Sequence, residues 1–323
     1  AISGVLFELA ANGLKLYLNI PQKEVHPGQL VTVCIKAVNR HVIFLGKQQF
    51  QIGVVYLNTP GNEKEMLQCD GVTEKVQQTM AEFSPKHCGI AQIDIEKVFL
   101  QDYLGLIGTQ KNFRGGCQLA VLPEPVLSTR IRTGMEKQQE YRYSAVADDD
   151  SDILDLRAFR PGDNLNHIHW NLSLRTDDLI VRQYGEQIDV KKVILVDLSI
   201  LNTAQYRSRM DAVYTAVASI ANLYVENEVN TLILAWNGQK QSAEYLEVHD
   251  RTELNRAMIR LMQIPCSSRA GEHAAAVYLK DIEAQGQQAL FVTAGSYENN
   301  KVRIVNVEKI QLQELIDELW EKI

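Results

Sequence analysis

Val193-Ile194-Leu195-Val196-Asp197-Leu198-Ser199 decides how this chain is read. An unbroken apolar run rich in β-branched residues fits a strand buried on both faces, as in the middle of a parallel sheet. The run ends on a carboxylate and a hydroxyl. Ligands of open α/β sheets gather beyond the carboxyl ends of the strands, so Asp197 and Ser199 mark the end to search. A helix is expected next, with Ser208 and Asp211 spaced as a capping box and Met210, Val213, Val217, Ile220 and Tyr224 as its buried stripe. Residues 231–236 read as the following strand and Asn237-Gly238 as a hairpin turn into 242–248. Helices near 252–262 and 272–283, strands near 289–293 and 302–307, and an amphipathic helix carrying Leu312, Leu315, Ile316 and Leu319 complete an α/β unit covered on both faces.

Upstream, from Leu14 to about residue 127, β-prone runs at 14–20, 30–38, 51–57 and 90–98 are broken by Pro-Gly and Gly-Asn turns. That punctuation predicts an all-β sandwich of immunoglobulin or fibronectin type. Val31, Val33, Ile35 and Ala37 alternate with Thr32, Cys34, Lys36 and Val38, so one face is expected to be buried. This half carries no recognisable chemistry and reads as scaffold. Residues 129–152 are hydrophilic and end in Asp148-Asp149-Asp150-Ser151-Asp152, a solvated linker by composition. The expected organisation is a β-sandwich over residues 1–128, a polar linker over 129–152 and a doubly wound α/β domain over 153–323.

The most distinctive residues precede the central strand, in Leu156–Arg182, LRAFRPGDNLNHIHWNLSLRTDDLIVR. Arg160-Pro161-Gly162-Asp163 fits a tight turn: proline fixes its own φ and disfavours the α region at Arg160, and glycine supplies the positive φ of a type II turn. Asp163 or Asn164 can then cap a short helix through Ile168, His169 and Trp170. In the preceding strand Leu154, Leu156 and Ala158 are expected on the apolar face, with Asp155 and Arg157 on the other. Arg157, Arg175 and Arg182, near Asp155 and Asp163, admit two readings. One is an ion-paired network holding turn to sheet; the other leaves a guanidinium free to grip a carboxylate or phosphate. His167 and His169, with Asp163 just before them, suggest a metal hydrolase, but residues two apart on a helical turn point in different directions. No Gly-rich phosphate loop, nucleophile elbow or Cys/His pair at a recognisable spacing is present.

Bulk properties narrow the classes. With 323 residues and 46% hydrophobic content there is material for two cores. A net charge of −7 without a long Lys/Arg cluster speaks against nucleic-acid binding. Cys34, Cys69, Cys88, Cys117 and Cys266 are odd in number and lack a CxxC pair, which indicates neither a disulfide framework nor a zinc site and predicts a reducing, cytoplasmic setting. No apolar run is long enough to span a bilayer. The chain begins at Ala1, which suggests a trimmed or processed product.

The order Leu156-Arg157, Phe159, Pro161-Gly162-Asp163, Ile168-His169-Trp170, Arg175 and Val181-Arg182 resembles the signature of the domain of unknown function 58 family. Phe159 stands where that family has tyrosine, Asn171 where it usually has lysine, and Leu174 where it has alanine; losing the lysine weakens any phosphate or carboxylate contact there. Val25-His26-Pro27-Gly28, Asn39, Cys88-Gly89, Asp102-Tyr103-Leu104-Gly105-Leu106 and Val121-Leu122-Pro123 extend the resemblance upstream. Asp197-Leu198-Ser199 is also similar to the start of the metal-ion-dependent adhesion site of von Willebrand factor A-like domains, where D-x-S-x-S joins a distant Thr and Asp around magnesium. Here Leu201 replaces the second serine and Ala294 the later aspartate, with Ser267, Ser268, Asn202 and Thr203 as the available substitutes. Magnesium demands near-octahedral oxygen coordination, so a degenerate, metal-free site and no cofactor are expected. The resemblance implies a protein-interaction or assembly module, an adaptor for a MoxR-type AAA+ ATPase, with Asp197, Ser199 and Ser296 facing the partner. It also implies membrane helices ahead of this sequence and a position at the cytoplasmic side. The rival from another class is a metal-dependent hydrolase using Asp163, His167 and His169.

Overall fold

The computed structural model describes residues 2–39, 45–57, 64–72, 76–102, 104–113, 115–129, 141–143, 152–161, 163–176, 178–187, 191–199, 205–282, 289–295, 297 and 302–322. These residues form a mixed α/β fold with four sheets and six α-helices. Contacts divide the chain into two compact units, residues 1–130 with 192–323 and residues 131–191.

In the larger unit the N-terminal half holds two sheets. One is β1 (Leu14–Asn19), β3 (Val31–Asn39) and β6 (Val76–Phe83), all antiparallel. The other runs β2 (Glu24–Val25), β9 (Gly116–Val121), β7 (Gly89–Asp102), β4 (Leu45–Tyr56) and β5 (Lys64–Val72), with β8 (Gly108–Asn112) also on β7. Both sheets feed one core. Val31, Val33 and Ile35 of β3 and Phe50, Ile52 and Ile93 of β4 and β7 are almost fully buried in the same cluster, and the alternation along β3 is the one read from the sequence. The sequence reading missed α1 (Ile2–Asn12), which buries Phe7, Ala10 and Ala11 there and leaves Val5 and Leu9 exposed.

The C-terminal half is built around β13 (Lys192–Val196), whose Val193, Ile194, Leu195 and Val196 are buried as the apolar run predicts. β13 is parallel to β14 (Thr231–Asn237) on one side and to β16 (Ala289–Thr293) on the other; β17 (Arg303–Asn306) continues the parallel order. β15 (Ser242–Val248) returns antiparallel to β14 and closes that edge. Alternate residues of β13 face opposite layers. Ile194 and Val196 pack with α3 (Tyr206–Glu226), α4 (Arg251–Gln263) and α6 (Leu312–Glu321); Val193 and Leu195 pack with α5 (Ala270–Val277). The two halves share apolar core, because Cys88, Ile90, Ala120 and Leu122 belong to the cluster of α3 and α4.

One local expectation in this half needs correcting. Ser208 and Asp211 do not cap α3: the helix starts at Tyr206 after Gln205, which makes no side-chain cap bond. Asp211 is instead drawn to His87 and Cys88. The hairpin expected from Asn237-Gly238 into 242–248 forms, its loop spanning residues 238–241, where the Asn237 side chain accepts the N–H groups of Gln239 and Lys240.

In the smaller unit β12 (Ile180–Gln187) lies between β10 (Tyr141–Tyr143) and β11 (Asp152–Ala158), antiparallel to both. β10 falls within the stretch expected to be linker; the Asp148–Ser151 run lies outside the described residues. The expected helix through Ile168-His169-Trp170 is split. A 3-10 turn covers Leu165–His167, Ile168 is extended and bridges Val181, and α2 (Trp170–Thr176) begins only after His169. That bridge buries Ile168 and Val181, on the side of the sheet that Arg157 shares with Val181. The expected apolar face is therefore reversed, with Leu156 41% exposed opposite Arg182.

Candidate functional site

At the carboxyl end of β13, Asp197 is only partly exposed and both its oxygens are engaged. Oδ1 accepts the Ser199 N–H at 3.0 Å, and Oδ2 accepts the hydroxyl of the fully buried Thr293 at 2.6 Å. The Thr293 hydroxyl in turn accepts the Gly295 N–H at 2.9 Å. Ser199 bridges to Ser267 in parallel fashion, and its hydroxyl accepts the Gly271 N–H, in the first turn of α5, at 3.2 Å. The helix presses directly on the carboxylate: a Cβ at Gly271 would lie 2.5 Å from Asp197 Oδ1 and 3.0 Å from Phe291. Close backbone approach is why glycine stands at this position. Tyr206 and Cys266 lie near enough to feel the Asp197 charge, and burial first, then this charge among others, pushes both groups up.

This donor set does not fit magnesium. The carboxylate, the Thr293 hydroxyl and the Ser199 hydroxyl each already take a hydrogen bond from the protein, and α5 closes one side of Asp197. Among the substitutes, Ser267 Oγ is buried without a hydrogen-bond partner among the described residues, but one hydroxyl cannot supply an octahedron. Leu201, Asn202, Thr203 and the expected partner-facing Ser296 lie outside the described residues. No group of three or more His, Cys, Asp or Glu side chains among the described residues is placed to hold a metal ion.

In the smaller unit the signature segment folds into a polar clasp. The guanidinium of Arg157, in β11, grips Asp163 with both prongs, each at 2.7 Å, and the Arg160 N–H adds a third bond at 2.7 Å. The Asp163 N–H returns to the Arg160 carbonyl, closing the turn around the exposed Pro161; Gly162 lies outside the described residues. These bonds, the Arg157 fork first, hold the Asp163 carboxyl down to about 2. Asn164 is the residue that caps the following 3-10 turn, accepting the Asn166 N–H.

The rest of the segment is divided between roles. His169 caps α2, its Nδ1 accepting the Leu172 N–H at 3.3 Å while its backbone N–H donates to the Ile180 carbonyl. Ser173 Oγ accepts the Ile180 N–H and ties α2 to the start of β12. Trp170 is 57% exposed. Arg175 does not join the Arg157–Asp163 pair: it is exposed in the last turn of α2, without an ion pair among the described residues, and Asp163 is already filled. Arg182 is half-buried beside Leu156, with its Nε lacking a hydrogen-bond partner among the described residues. For the hydrolase set, the Asp163 carboxylate is engaged in holding the turn, and His169 Nδ1 in capping the helix.

A polar cluster that the sequence did not announce joins the two halves of the larger unit. Asp211 Oδ2 lies 2.7 Å from His87 Nδ1, and Oδ1 accepts the Cys88 N–H at 2.8 Å. Arg207 stands 5.5 Å over the Tyr56 ring, which meets His87 edge-on. A Cys beside a His–Asp pair invites a nucleophile reading, but burial, then Asp211, pushes the Cys88 thiol up to about 12, which disfavours the thiolate.

A family model described as "Protein of unknown function DUF58" matches residues 155–301, a span that contains both the Arg157–Asp163 clasp and the Asp197 site. The match supports the resemblance carried by the signature segment. No curated protein matches the chain. Among solved structures it is similar to the CARDB domain of a Pyrococcus furiosus protein in complex with di-metal ions, at 10% identity over 34% of this chain and 87% of that one, TM-score 0.22. It is also similar to the sporulation control protein Spo0M of Bacillus subtilis, at 10% identity over 35% of this chain and 51% of that one, TM-score 0.21.

Proposed function

We propose that the chain is a protein-interaction module, an immunoglobulin- or fibronectin-like sandwich joined to a von Willebrand A-like α/β domain, serving as adaptor for a MoxR-type AAA+ ATPase at the cytoplasmic face of a membrane. The observation that carries this reading is the engaged state of Asp197. An aspartate at the ligand-binding end of a parallel sheet, with both oxygens tied to Ser199 and Thr293 and a helix packed over it, organises a surface rather than a metal or substrate. The strand order β15-β14-β13-β16-β17 with helices on both faces supports the doubly wound frame. No helix among the described residues is long and apolar enough to cross a membrane.

The test is capture of the MoxR-type ATPase encoded nearest this protein by the immobilised chain. Charge at the sheet end, introduced by Ser199→Glu in a variant that keeps the wild-type melting midpoint, is expected to weaken capture, as is Ser296→Arg if Ser296 faces the partner as proposed. Full capture by both folded variants refutes the placement of the partner at this end.

A further inference from the structure

We infer that a cavity between the end of β2, the chain leaving β9 and the helices α3 and α4 binds a small zwitterion, a free amino acid with an apolar side chain. The cavity measures about 210 Å³, and all its lining residues belong to the larger unit. Two stretches far apart in sequence meet at it. β2 pairs with β9 through Val25 and Val121, and just beyond them His26 Nδ1 donates to the Leu122 carbonyl at 3.0 Å. Leu122, Ala218 of α3, and Leu254 and Met258 of α4 give the cavity a buried apolar lining.

The charges select the occupant. Glu124 and Arg251 line this one cavity and are exposed, yet neither makes an ion pair or side-chain hydrogen bond, with the other or with any further described residue. A ligand of one sign would meet a like charge on the lining, whereas a ligand carrying both signs meets two complementary groups. A third polar group is buried. Asn222 is only 3% exposed, and its Nδ2 donates to Glu226 at 2.9 Å. A carboxylate accepts, so this bond fixes the orientation of the amide and leaves Oδ1 as an acceptor without a partner among the described residues. Buried polar atoms are normally paired, and a ligand N–H would complete this one. The other polar side chains of the lining are committed, His26 to Leu122 and Asn255 to Glu24 at 3.4 Å.

Size narrows the class further. A cavity of about 150 Å³ holds benzene, and drug-sized ligands take about 300 Å³ or more, so this volume suits about eight or nine non-hydrogen atoms. Amino acids the size of leucine fall in that range. Such a ligand gives its carboxylate to Arg251, its ammonium to Glu124 and Asn222 Oδ1, and its side chain to Leu122, Leu254 and Met258. The site shares no residue with the Asp197 end, so amino-acid binding and ATPase capture succeed or fail independently.

The experiment is isothermal titration calorimetry of the whole chain with free leucine, isoleucine and methionine. Each is compared with its analogues lacking the ammonium, lacking the carboxylate, or blocked at both groups as the N-acetyl amide. At least one amino acid is expected to bind saturably, with each singly charged analogue at least about tenfold weaker and the blocked one without detectable binding. R251Q should weaken the amino acid about tenfold but not the analogue without a carboxylate, and E124Q should weaken it likewise but not the analogue without an ammonium. Both positions are exposed, so an unchanged melting midpoint is expected, and the opposite selectivities separate lost contacts from lost folding. Failure of all three amino acids to bind, an analogue that matches its amino acid, or undiminished binding by both variants overturns the inference. So does preferential binding of the N-acetyl amide, which assigns the cavity to a peptide segment.

Discussion

Replacing Gly271 by alanine is expected to destabilise the protein, although the same change at an ordinary helical glycine stabilises. The new Cβ would lie 2.5 Å from Asp197 Oδ1, 2.6 Å from its Cγ and 3.0 Å from Phe291 Cζ. Phe291 is fully buried and cannot retreat, and the short Asp197 side chain is tethered at both oxygens. Overpacking of this kind costs about 1–3 kcal/mol, and a weakened Asp197 hydrogen bond adds about 1 kcal/mol. The gain in helix propensity offsets at most about 1 kcal/mol. The net loss is therefore about 1–3 kcal/mol, read as a lower urea midpoint at unchanged slope. In an Asp197→Ala background the principal obstacle is gone and Gly271→Ala becomes neutral or mildly stabilising. The double-mutant cycle should then return a coupling of about 1–3 kcal/mol between the two positions. Additive effects, or stabilisation by Gly271→Ala in both backgrounds, refute the close packing of α5 on the carboxylate.

Three further outcomes follow from the other contacts. Asp163 is held at about 2 against an ordinary 3.8, so its folded value lies below its unfolded one; its contribution to the turn is complete above about pH 4 and is lost as pH falls through about 2. A carboxyl-carbon NMR titration should place its midpoint near 2, and a midpoint near 3.8 would mean that the Arg157 fork does not form in solution. His169→Ala should loosen α2 by about 0.5–2 kcal/mol, seen as faster amide exchange at Leu172 and Ser173, with His169→Asn restoring protection; unchanged exchange in the alanine variant contradicts the cap. Asp211→Ala strands the Cys88 N–H and His87 and should cost about 1–3 kcal/mol, with partial recovery in Asp211→Asn, whereas a neutral alanine substitution would remove Asp211 from the joint between the halves.

What the sequence disclosed was whatever local pattern controls. The apolar run 193–196, the stripe of α3 and the alternation in β3 are one-dimensional signals of burial, and their elements formed where expected. The Arg157–Asp163 pair was legible as well, since a Pro-Gly turn returns residue 163 to the strand that carries residue 157. Contacts distant in sequence were not. Asp211 looked like a capping residue because its spacing from Ser208 is right; His87, 124 residues away, claims it instead. Thr293 stands in the Thr-Ala-Gly stretch that was read for its missing aspartate, and only the parallel pairing of β13 with β16 brings its hydroxyl to Asp197. Gly271 offered a faint signal, an isolated glycine opening a helix, whose meaning depends on what lies across from it. His169 was read as a candidate metal ligand on a helical turn, and its cap emerges because Ile168 is pulled into a bridge with Val181 and breaks the helix before it.

The central claim, that the Asp197 end is closed by its own hydrogen bonds and holds no divalent cation, is tested most directly by following thermal unfolding of the intact chain while titrating magnesium or manganese. A ligand that binds only the native state raises the melting temperature with concentration. With Oδ1 tied to Ser199, Oδ2 to Thr293 and α5 packed against the carboxylate, no saturable rise is expected at millimolar metal, and Asp197→Ala should respond as the wild type does. A saturable rise in the wild type that disappears in Asp197→Ala would contradict the account and restore a metal to this site.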